Sequence, residues 1–530
     1  MASHPLRTLA IAGTLVTGLF AAAPAHANTN AAAQARATQA IQPLPADLEQ
    51  IRAAEAQQLY GSPDIRPMQD RKTGVITMGD SEISGEGAGN YEPGTHQDSP
   101  LNYCDRSKDQ AVWRLTISAD VRYNVACSGA TPDNLRYGGS HQWTEINQGD
   151  NLAIKARNTH LKLLWVVVGA NGDGTIQFGP VATDCAKRRI LLQGPCWPTY
   201  TDTWATRVTG SRQQVAATLT NIKQTMADAG YTASDYQLAV MSYPSPGGPD
   251  VEDNPNFPGW YAGGCTLYLA DAAFARNKAV PLFERGIRGA AADANVRYLD
   301  ASRLFHGHGV CDDVPWARGV YIENGNIFDE NAARQSLHPN ASGHGAFAQC
   351  MSQFYASGWQ QATCVDPAST NNAKLYNGLM SFNQLHSESG KCVDAHGYDS
   401  RNGTALAAWN CHGGRNQGFF YDSTNQTLNV ELSQDRCIDA NGGTIAAGTN
   451  EILYNCAASA NQKWTFDGKL IHPKGHTDLC LGFTSTADNA SLQLMACNAA
   501  DTKQRWAFET RAFPSPVGYN HDDFIGSRVY

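Results

Sequence analysis

Basic charge is in short supply in this chain. Its 530 residues carry 40 Lys and Arg against 49 Asp and Glu, a formal net charge of −9. No basic stripe stands ready to neutralise phosphates, which argues against a nucleic-acid partner. Long hydrophobic runs are missing too: after residue 27 no segment reaches the roughly eighteen uninterrupted apolar residues of a membrane-spanning helix. Metal-ligand register is also lacking. His306-Gly-His308-Gly-Val-Cys311 tempts a zinc reading, but no further acidic or cysteine ligands follow in register. A pocket or loop role, with Cys311 in a disulfide, is expected for it, and neither a metal nor an organic cofactor is expected.

Cysteine, by contrast, is present in an even number, fourteen, all of them after residue 27. That distribution suits an oxidising compartment. The first residues have Arg7, an apolar stretch from Leu9 to Ala23, and Ala25-His26-Ala27, the small-x-small pattern of a signal-peptide cleavage site. A signal peptide over 1–27, a mature chain from Asn28 and secretion are therefore expected. Within an N-terminal extension of 28–73, Pro45-Ala-Asp-Leu-Glu-Gln-Ile-Arg has proline near a helix start and runs on to Gly61, a suitable C-cap. It reads equally as a docking helix or a removable segment.

Three separated segments carry chemistry. Val75-Ile-Thr-Met is a short apolar run ending in Gly79-Asp80-Ser81, a strand followed by a turn. Leu161 to Val168 is a second buried-strand pattern and delivers Asn171 at its end. His338 precedes Pro339 and the apolar Ala346-Phe347-Ala348 of a helical stretch. A serine hydroxyl is a poor nucleophile at neutral pH unless a base lies within hydrogen-bond reach and donors face the oxyanion. Serine, amide and imidazole at strand ends offer those parts. The Gly-x-Ser-x-Gly pentapeptide of an α/β-hydrolase elbow does not occur at a plausible strand end.

In that chain order the segments resemble the GDSL, or SGNH, hydrolases, over about Gly74 to Cys364. Gly79-Asp80-Ser81 with Glu82-Ile-Ser-Gly-Glu-Gly87 matches the first block, Val125-Ala-Cys-Ser-Gly129-Ala-Thr the second, Val168-Gly-Ala-Asn171 the third, and His338-Pro-Asn-Ala-Ser-Gly-His344 the fourth. The resemblance implies Ser81 as nucleophile, His338 as general base, and an oxyanion hole of the Ser81 and Gly129 N–H groups with the Asn171 side chain. Two positions depart from the pattern. Three residues before the base, where Asp is usual, stands Gln335 beside Arg334, and Asp173 is displaced by one from its usual place after Asn171. Either a backbone carbonyl orients His338 in a Ser-His dyad, or Asp329 or Glu330 reaches in from the preceding loop.

From Lys391 the chain repeats at a period of about 45 residues, each unit too short to bury its own apolar face. Cys392-Val-Asp394, Cys437-Ile-Asp439 and Cys480-Leu-Gly482 open the units, Cys411, Cys456 and Cys497 follow, and Gln417-Gly-Phe419, Gln462-Lys-Trp464 and Gln504-Arg-Trp506 close them. This resembles the ricin-B-type lectins, three-lobed β-trefoils in which an aromatic face, an acid and an Asn-Gln pair hold a sugar. The first lobe matches with Asp394, Trp409, Asn416 and Gln417, and the second with Asp439, Tyr454, Asn461 and Gln462. The third has Gly482, Met495 and Lys503 at those places, and no binding is expected there.

The organisation so implied is a hydrolase domain over 74–364, a polar linker over 365–374, a lectin domain over 375–510 and a tail over 511–530. The hydrolase is expected to be a three-layer α/β/α sandwich with a parallel sheet, its strands near Val75, Leu161, Gln237 and Val296 alternating with helices such as Arg212–Ala229 and Asp271–Ala292. Short loops and the two resemblances pair Cys104 with Cys127, Cys185 with Cys196, Cys265 with Cys311, Cys350 with Cys364, Cys392 with Cys411, Cys437 with Cys456 and Cys480 with Cys497. The expected protein is a monomeric carboxylic ester hydrolase whose partners are its ester substrate and a carbohydrate. Deacetylation of a wall polymer or hydrolysis of a cell-surface ester leads. Aromatic segments at 197–204 and 257–261 leave a lipid acyl substrate as the alternative, and a lectin with a degenerate hydrolase domain is the rival.

Overall fold

The computed structural model describes residues 40–247, 267–310, 312, 314–319, 321, 333–366, 371–380, 382–412, 414–423 and 425–509. The expected signal peptide, the tail at 511–530, Asp329, Glu330, residues 257–261 and the Cys265–Cys311 pair lie outside them.

Seven strands form the first sheet: β1 Thr73–Gly79, β2 Val121–Asn124, β3 His160–Val167, β4 Gln237–Met241, β5 Arg297–Asp300, β6 Gln361–Val365 and β7 Lys374–Asn377. Their spatial order is β2-β1-β3-β4-β5-β6-β7. All pairs are parallel except the last, β6 with β7. Val75 of β1 lies opposite Arg122 on one side and Leu163 on the other. β1 and β3 are apolar at consecutive positions rather than alternate ones, and Val75, Ile76, Leu163, Leu164, Trp165 and Val166 have no exposed surface. A strand buried on both faces needs that run, because helices cover both sides of a parallel sheet.

Nine α-helices are described: α1 Ala46–Tyr60, α2 Ser81–Ser84, α3 Gln148–Asn158, α4 Phe178–Ile190, α5 Trp197–Tyr200, α6 Trp204–Asp228, α7 Leu269–Phe274, α8 Val280–Asp293 and α9 Ala341–Ser357. α1 packs on α3, α3 on α6 and α6 on α8, while α9 packs against β7 and the 3₁₀ turn Ala111–Arg114. Helices on both faces of this sheet make the three-layer α/β/α domain. The stretch expected as one helix over 271–292 is α7 and α8 joined by a π-helical turn, Ala275–Ala279. α1 is a docked helix: Arg52 is buried, donates to the Asn158 side chain at 3.1 Å, and meets Glu49 at 2.7 Å. Gly61 caps it at φ 70°.

The segment read as a linker begins and ends in this sheet, with Val365 opposite Lys374. Strand β7 thus carries the α/β domain to Asn377, two residues beyond the point at which the lectin was expected to start. Antiparallel hairpins fill the rest. The strand Asn383–Ser387 pairs with Trp506–Glu509, so first and last strands of this all-β domain close on each other. Phe419, Trp464 and Trp506, one from each repeat, are buried at its centre. The two domains meet through Arg303 of the first and Glu431 of the second, 3.3 Å apart, with Arg303 also over the Phe382 ring. Six disulfides occur among the described residues: Cys104–Cys127, Cys185–Cys196, Cys350–Cys364, Cys392–Cys411, Cys437–Cys456 and Cys480–Cys497.

Candidate active site

Ser81 is carried by the turn from β1 into α2. Gly79 ends the strand at φ 149°, and a Cβ there would lie 2.0 Å from the Val167 carbonyl oxygen, so only glycine lets β1 run this close to β3. Asp80 caps α2, its side chain accepting from Glu82 N at 3.1 Å. The four separated blocks converge here. Cys127 N donates to Gly79 O at 3.1 Å, joining the second block to the first, and Asn171 Nδ2 donates to Ala130 O at 3.3 Å, joining the third to the second. Gly129 has φ 77°, and among the described residues its N–H and that of Ser81 have no acceptor.

His338 Nε2 lies 2.8 Å from Ser81 Oγ, and His338 Nδ1 lies 2.9 Å from the Ser336 carbonyl oxygen. A carbonyl only accepts, so Nδ1 carries the proton and Nε2 is left to accept from the serine. Burial holds the imidazole at about 4, well below its ordinary value, against the Ser336 carbonyl, which favours the charged form. The imidazole is therefore neutral at neutral pH. Phe178 stands edge-on to the ring at 5.8 Å.

Several groups around the pair were not singled out in the sequence. Arg334, four residues before His338, donates to Ser128 Oγ at 2.9 Å and Tyr103 O at 3.1 Å, and lies 3.4 Å from Glu86 and 3.6 Å from Asp105. It ties the histidine loop to the first and second blocks. Glu86 also accepts from Ser128 Oγ, and burial holds its carboxyl well above the usual range despite Arg334. The buried Tyr243 hydroxyl donates to Asp80. Burial pushes the Asp80 carboxyl up to about 7, with Tyr243 and the Glu82 N–H opposing the shift. Glu82 has no hydrogen-bond partner for its carboxyl among the described residues and is raised well above its ordinary value by burial, then by Asp80. An arginine beside the position of the missing acid was the one visible signal.

Ser81, Glu82 and His338 open onto a cavity that Cys185, Cys196 and Phe274 also line. Its lining is almost wholly apolar, as at Ile176, Val181 and Phe283. The His306–Cys311 stretch, expected in a pocket or loop role, holds His308 stacked on Trp316 at 3.7 Å, with Nε2 2.6 Å from Asp366 and Nδ1 2.7 Å from Val314 O. Both nitrogens are committed to protein groups.

In the all-β domain, Cys392 pairs across the ladder with Trp409 and Cys437 with Tyr454. Residues two apart share a face, so Asp394 and Asp439 lie on the side of those aromatics. Asp394 Oδ2 accepts from Asn416 Nδ2 at 2.9 Å and Gln417 Nε2 at 2.8 Å, and His412 Nε2, not foreseen, lies 3.2 Å away. In the second lobe Asp439 Oδ2 accepts from Gln462 Nε2 at 2.7 Å, whereas Asn461 Nδ2 donates to Ala440 O at 3.3 Å. Trp409 is half-buried and Tyr454 exposed. In the third lobe a Cβ on Gly482 would lie 2.8 Å from Gln504 Cγ and 2.9 Å from Met495 Sδ, so the space of an acid is taken.

Residues 377–454 match the family described as ricin-type beta-trefoil lectin domain-like, and residues 430–513 the ricin-type beta-trefoil lectin domain. Over 278 residues, 51% of this chain and 82% of the relative, the sequence is 26% identical to a lipase of Streptomyces rimosus. The chain joins a lipase-like domain to a ricin-type lectin domain. Among solved structures, the lipase-like domain aligns with an extracellular lipase from Streptomyces rimosus, at 21% identity, TM-score 0.34, covering 54% of this chain and 99% of that one. It also aligns with a phospholipase A1 from Streptomyces albidoflavus, at 24% identity, TM-score 0.34, covering 53% and 98%. No helix among the described residues is long and apolar enough to cross a membrane.

Proposed function

We propose that the chain is a secreted serine esterase of the SGNH type that cleaves acyl esters through an acyl-enzyme, held near its substrate by its lectin domain. The observation that carries this reading is the Ser81–His338 contact of 2.8 Å at the end of an apolar cavity, with the second imidazole nitrogen on a backbone carbonyl. His338 takes the Ser81 proton as Oγ attacks the ester carbonyl. The Ser81 and Gly129 N–H groups and the Asn171 amide receive the oxyanion, and His338 returns the proton to the leaving alcohol. Water then attacks the acyl-enzyme with His338 again as base. Losing the carboxylate of a serine-protease triad costs about 10⁴ in kcat largely through the wrong tautomer, and the Ser336 carbonyl supplies the right one without a charge.

The cavity favours an aliphatic acyl chain over an acetyl group. An almost wholly apolar lining that includes Ile176, Val181 and Phe283 gives a polar acyl group little to bond to, and burying each methylene of a fatty acyl chain there contributes about 0.8 kcal/mol. The lipase alternative therefore displaces polysaccharide deacetylation as the leading substrate class. In the lectin domain, Asp394 with Trp409, Asn416 and Gln417, and Asp439 with Tyr454, Asn461 and Gln462, are the proposed sugar sites, and two sites on one domain raise avidity on a surface.

Hydrolysis of p-nitrophenyl esters from acetate to palmitate, by the mature protein and by Ser81→Ala, tests the enzyme. Turnover that peaks at medium or long chains and vanishes in the variant is expected. Folded protein that turns over no ester would return the rival reading, a lectin with a degenerate hydrolase domain.

A further inference from the structure

Leu191 and Leu192 are 62% and 69% exposed, the two most exposed large apolar side chains among the described residues, and Ile190 beside them is 43% exposed. Single exposed leucines need no explanation, but three in a row at a loop tip do. The tip lies just past the last turn of α4, which carries Lys187, Arg188 and Arg189. Arg188 pairs with Asp184 at 3.1 Å and Arg189 lies over the Tyr268 ring, while Lys187 is exposed and makes no ion pair among the described residues. A chain with net charge −9 thus places three cations and one carboxylate beside its most exposed apolar run.

The tip is held out rather than loosely hung. The Cys185–Cys196 disulfide closes the loop at its base, and Asp271 accepts from Cys196 N and Trp197 N at 2.9 Å each. Leu192 has φ 54°, a left-handed conformation that a leucine adopts only under constraint. The base of the loop is also cavity wall, since Cys185, Cys196 and Tyr200 line the space that begins at Ser81.

We propose that residues 187–193 are a docking tip for an anionic lipid bilayer. Ile190, Leu191 and Leu192 enter the boundary between headgroups and acyl chains, and Lys187, Arg188 and Arg189 lie at the level of the lipid phosphates. Apolar insertion beside an exposed Lys187 fits a lipid surface better than a protein groove, which would have to bring an acidic partner for Lys187 as well as an apolar pocket. This deepens the lipase reading and rests on it for its purpose: the wall of the acyl cavity is brought to the surface from which the acyl chain is drawn.

The test is binding without turnover. Full-length Ser81→Ala is sedimented with vesicles of phosphatidylcholine alone and of phosphatidylcholine with phosphatidylglycerol, neither containing a sugar for the lectin domain. The mixed vesicles are expected to capture the protein, less at high salt. Leu191→Asn/Leu192→Asn should reduce capture at least about tenfold, and Lys187→Gln about fivefold. Asparagine is tolerated at positive φ, so the double variant should keep its fold, checked by its melting temperature, and in the Ser81 background should hydrolyse soluble p-nitrophenyl acetate as before. Capture unchanged by the leucine substitutions, or equal on both vesicle types, would overturn the proposal. Absence of ester hydrolysis with vesicle binding intact would sink the enzyme reading and leave the docking tip standing.

Discussion

His338 is placed where a charged imidazole is disfavoured, and that sets the acidic side of the pH profile. Its folded-state value of about 4 lies below the ordinary 6.5 because burial outweighs the carbonyl at Nδ1. Under the proposed mechanism the base is competent wherever it is neutral, so kcat/KM should hold from pH 7 to about 5 and fall through about 4. A limb near 6.5 in a kcat/KM profile measured on a neutral ester would contradict this. Asn171 acts on a different quantity. Under the same proposed mechanism its amide meets the oxyanion more strongly than the ground-state carbonyl, so Asn171→Ala should lower kcat by about 10² to 10³ with a smaller change in KM. Ser81 and His338 were legible as a candidate pair because each sits in a short block whose residue types the chemistry demands, and the fold brings them to 2.8 Å; the roles of Gly129 and Asn171 belong to the proposed mechanism. The Ser336 carbonyl was foreseen only as one of two alternatives, because a carbonyl belongs to every residue and only the fold says which one faces Nδ1. Arg334, Glu86 and Asp105 were illegible as a set, because Arg334 stands over two hundred positions from the other two.

At the scale of elements, the strands β1, β3, β4 and β5 could be read from apolar runs, and the three lobes from cysteine and Gln-x-aromatic spacing. Strand β7 could not. Lys374–Asn377 is half polar and follows a stretch rich in Ser, Thr and Asn, so local composition spoke for a linker while pairing with β6 decided otherwise. The loop from α4 to α5 was visible only as a cysteine pair. That disulfide spans a sequence separation of 11, and removing such a closure costs about 3 kcal/mol in loop entropy. Because Cys185 and Cys196 are also cavity wall, Cys185→Ser/Cys196→Ser should lower turnover of long-chain p-nitrophenyl esters several-fold more than of the acetate. A chain-length series on the double variant would show this, and a uniform loss across the series would place the wall elsewhere.

Over the whole lipase-like domain, buried titratable groups set how stability depends on pH. Burial raises Asp80 and Glu284 to about 7 and Asp271 to about 6, and holds Glu82 and Glu86 well above their ordinary values. Such groups bind protons in the folded state that the unfolded chain has released, so they stabilise the fold as pH falls through the folded values. His338 and His344, held at about 4 and about 3 by burial, act in the opposite sense, because below about 6.5 the unfolded chain takes up protons that the fold refuses. Glu145 and Asp366, lowered by Arg106 and by His308 respectively, lose their contribution only towards pH 4 and below. From pH 8 to about 6.5 the carboxyls act unopposed and stability rises. From there to about 5 the five carboxyls outweigh the two histidines and stability goes on rising, more slowly, and towards pH 4 and below, where the unfolded carboxyls take up protons too, the histidines and paired carboxylates work against the fold. Thermal unfolding of the Ser81→Ala protein in buffers from pH 4 to 9, followed in the transition of the lipase-like domain, should therefore give its highest Tm between about pH 4 and 5. A Tm that climbed steadily to pH 8 would mean that the buried carboxyls are ionised and paired in the fold, not held as neutral acids.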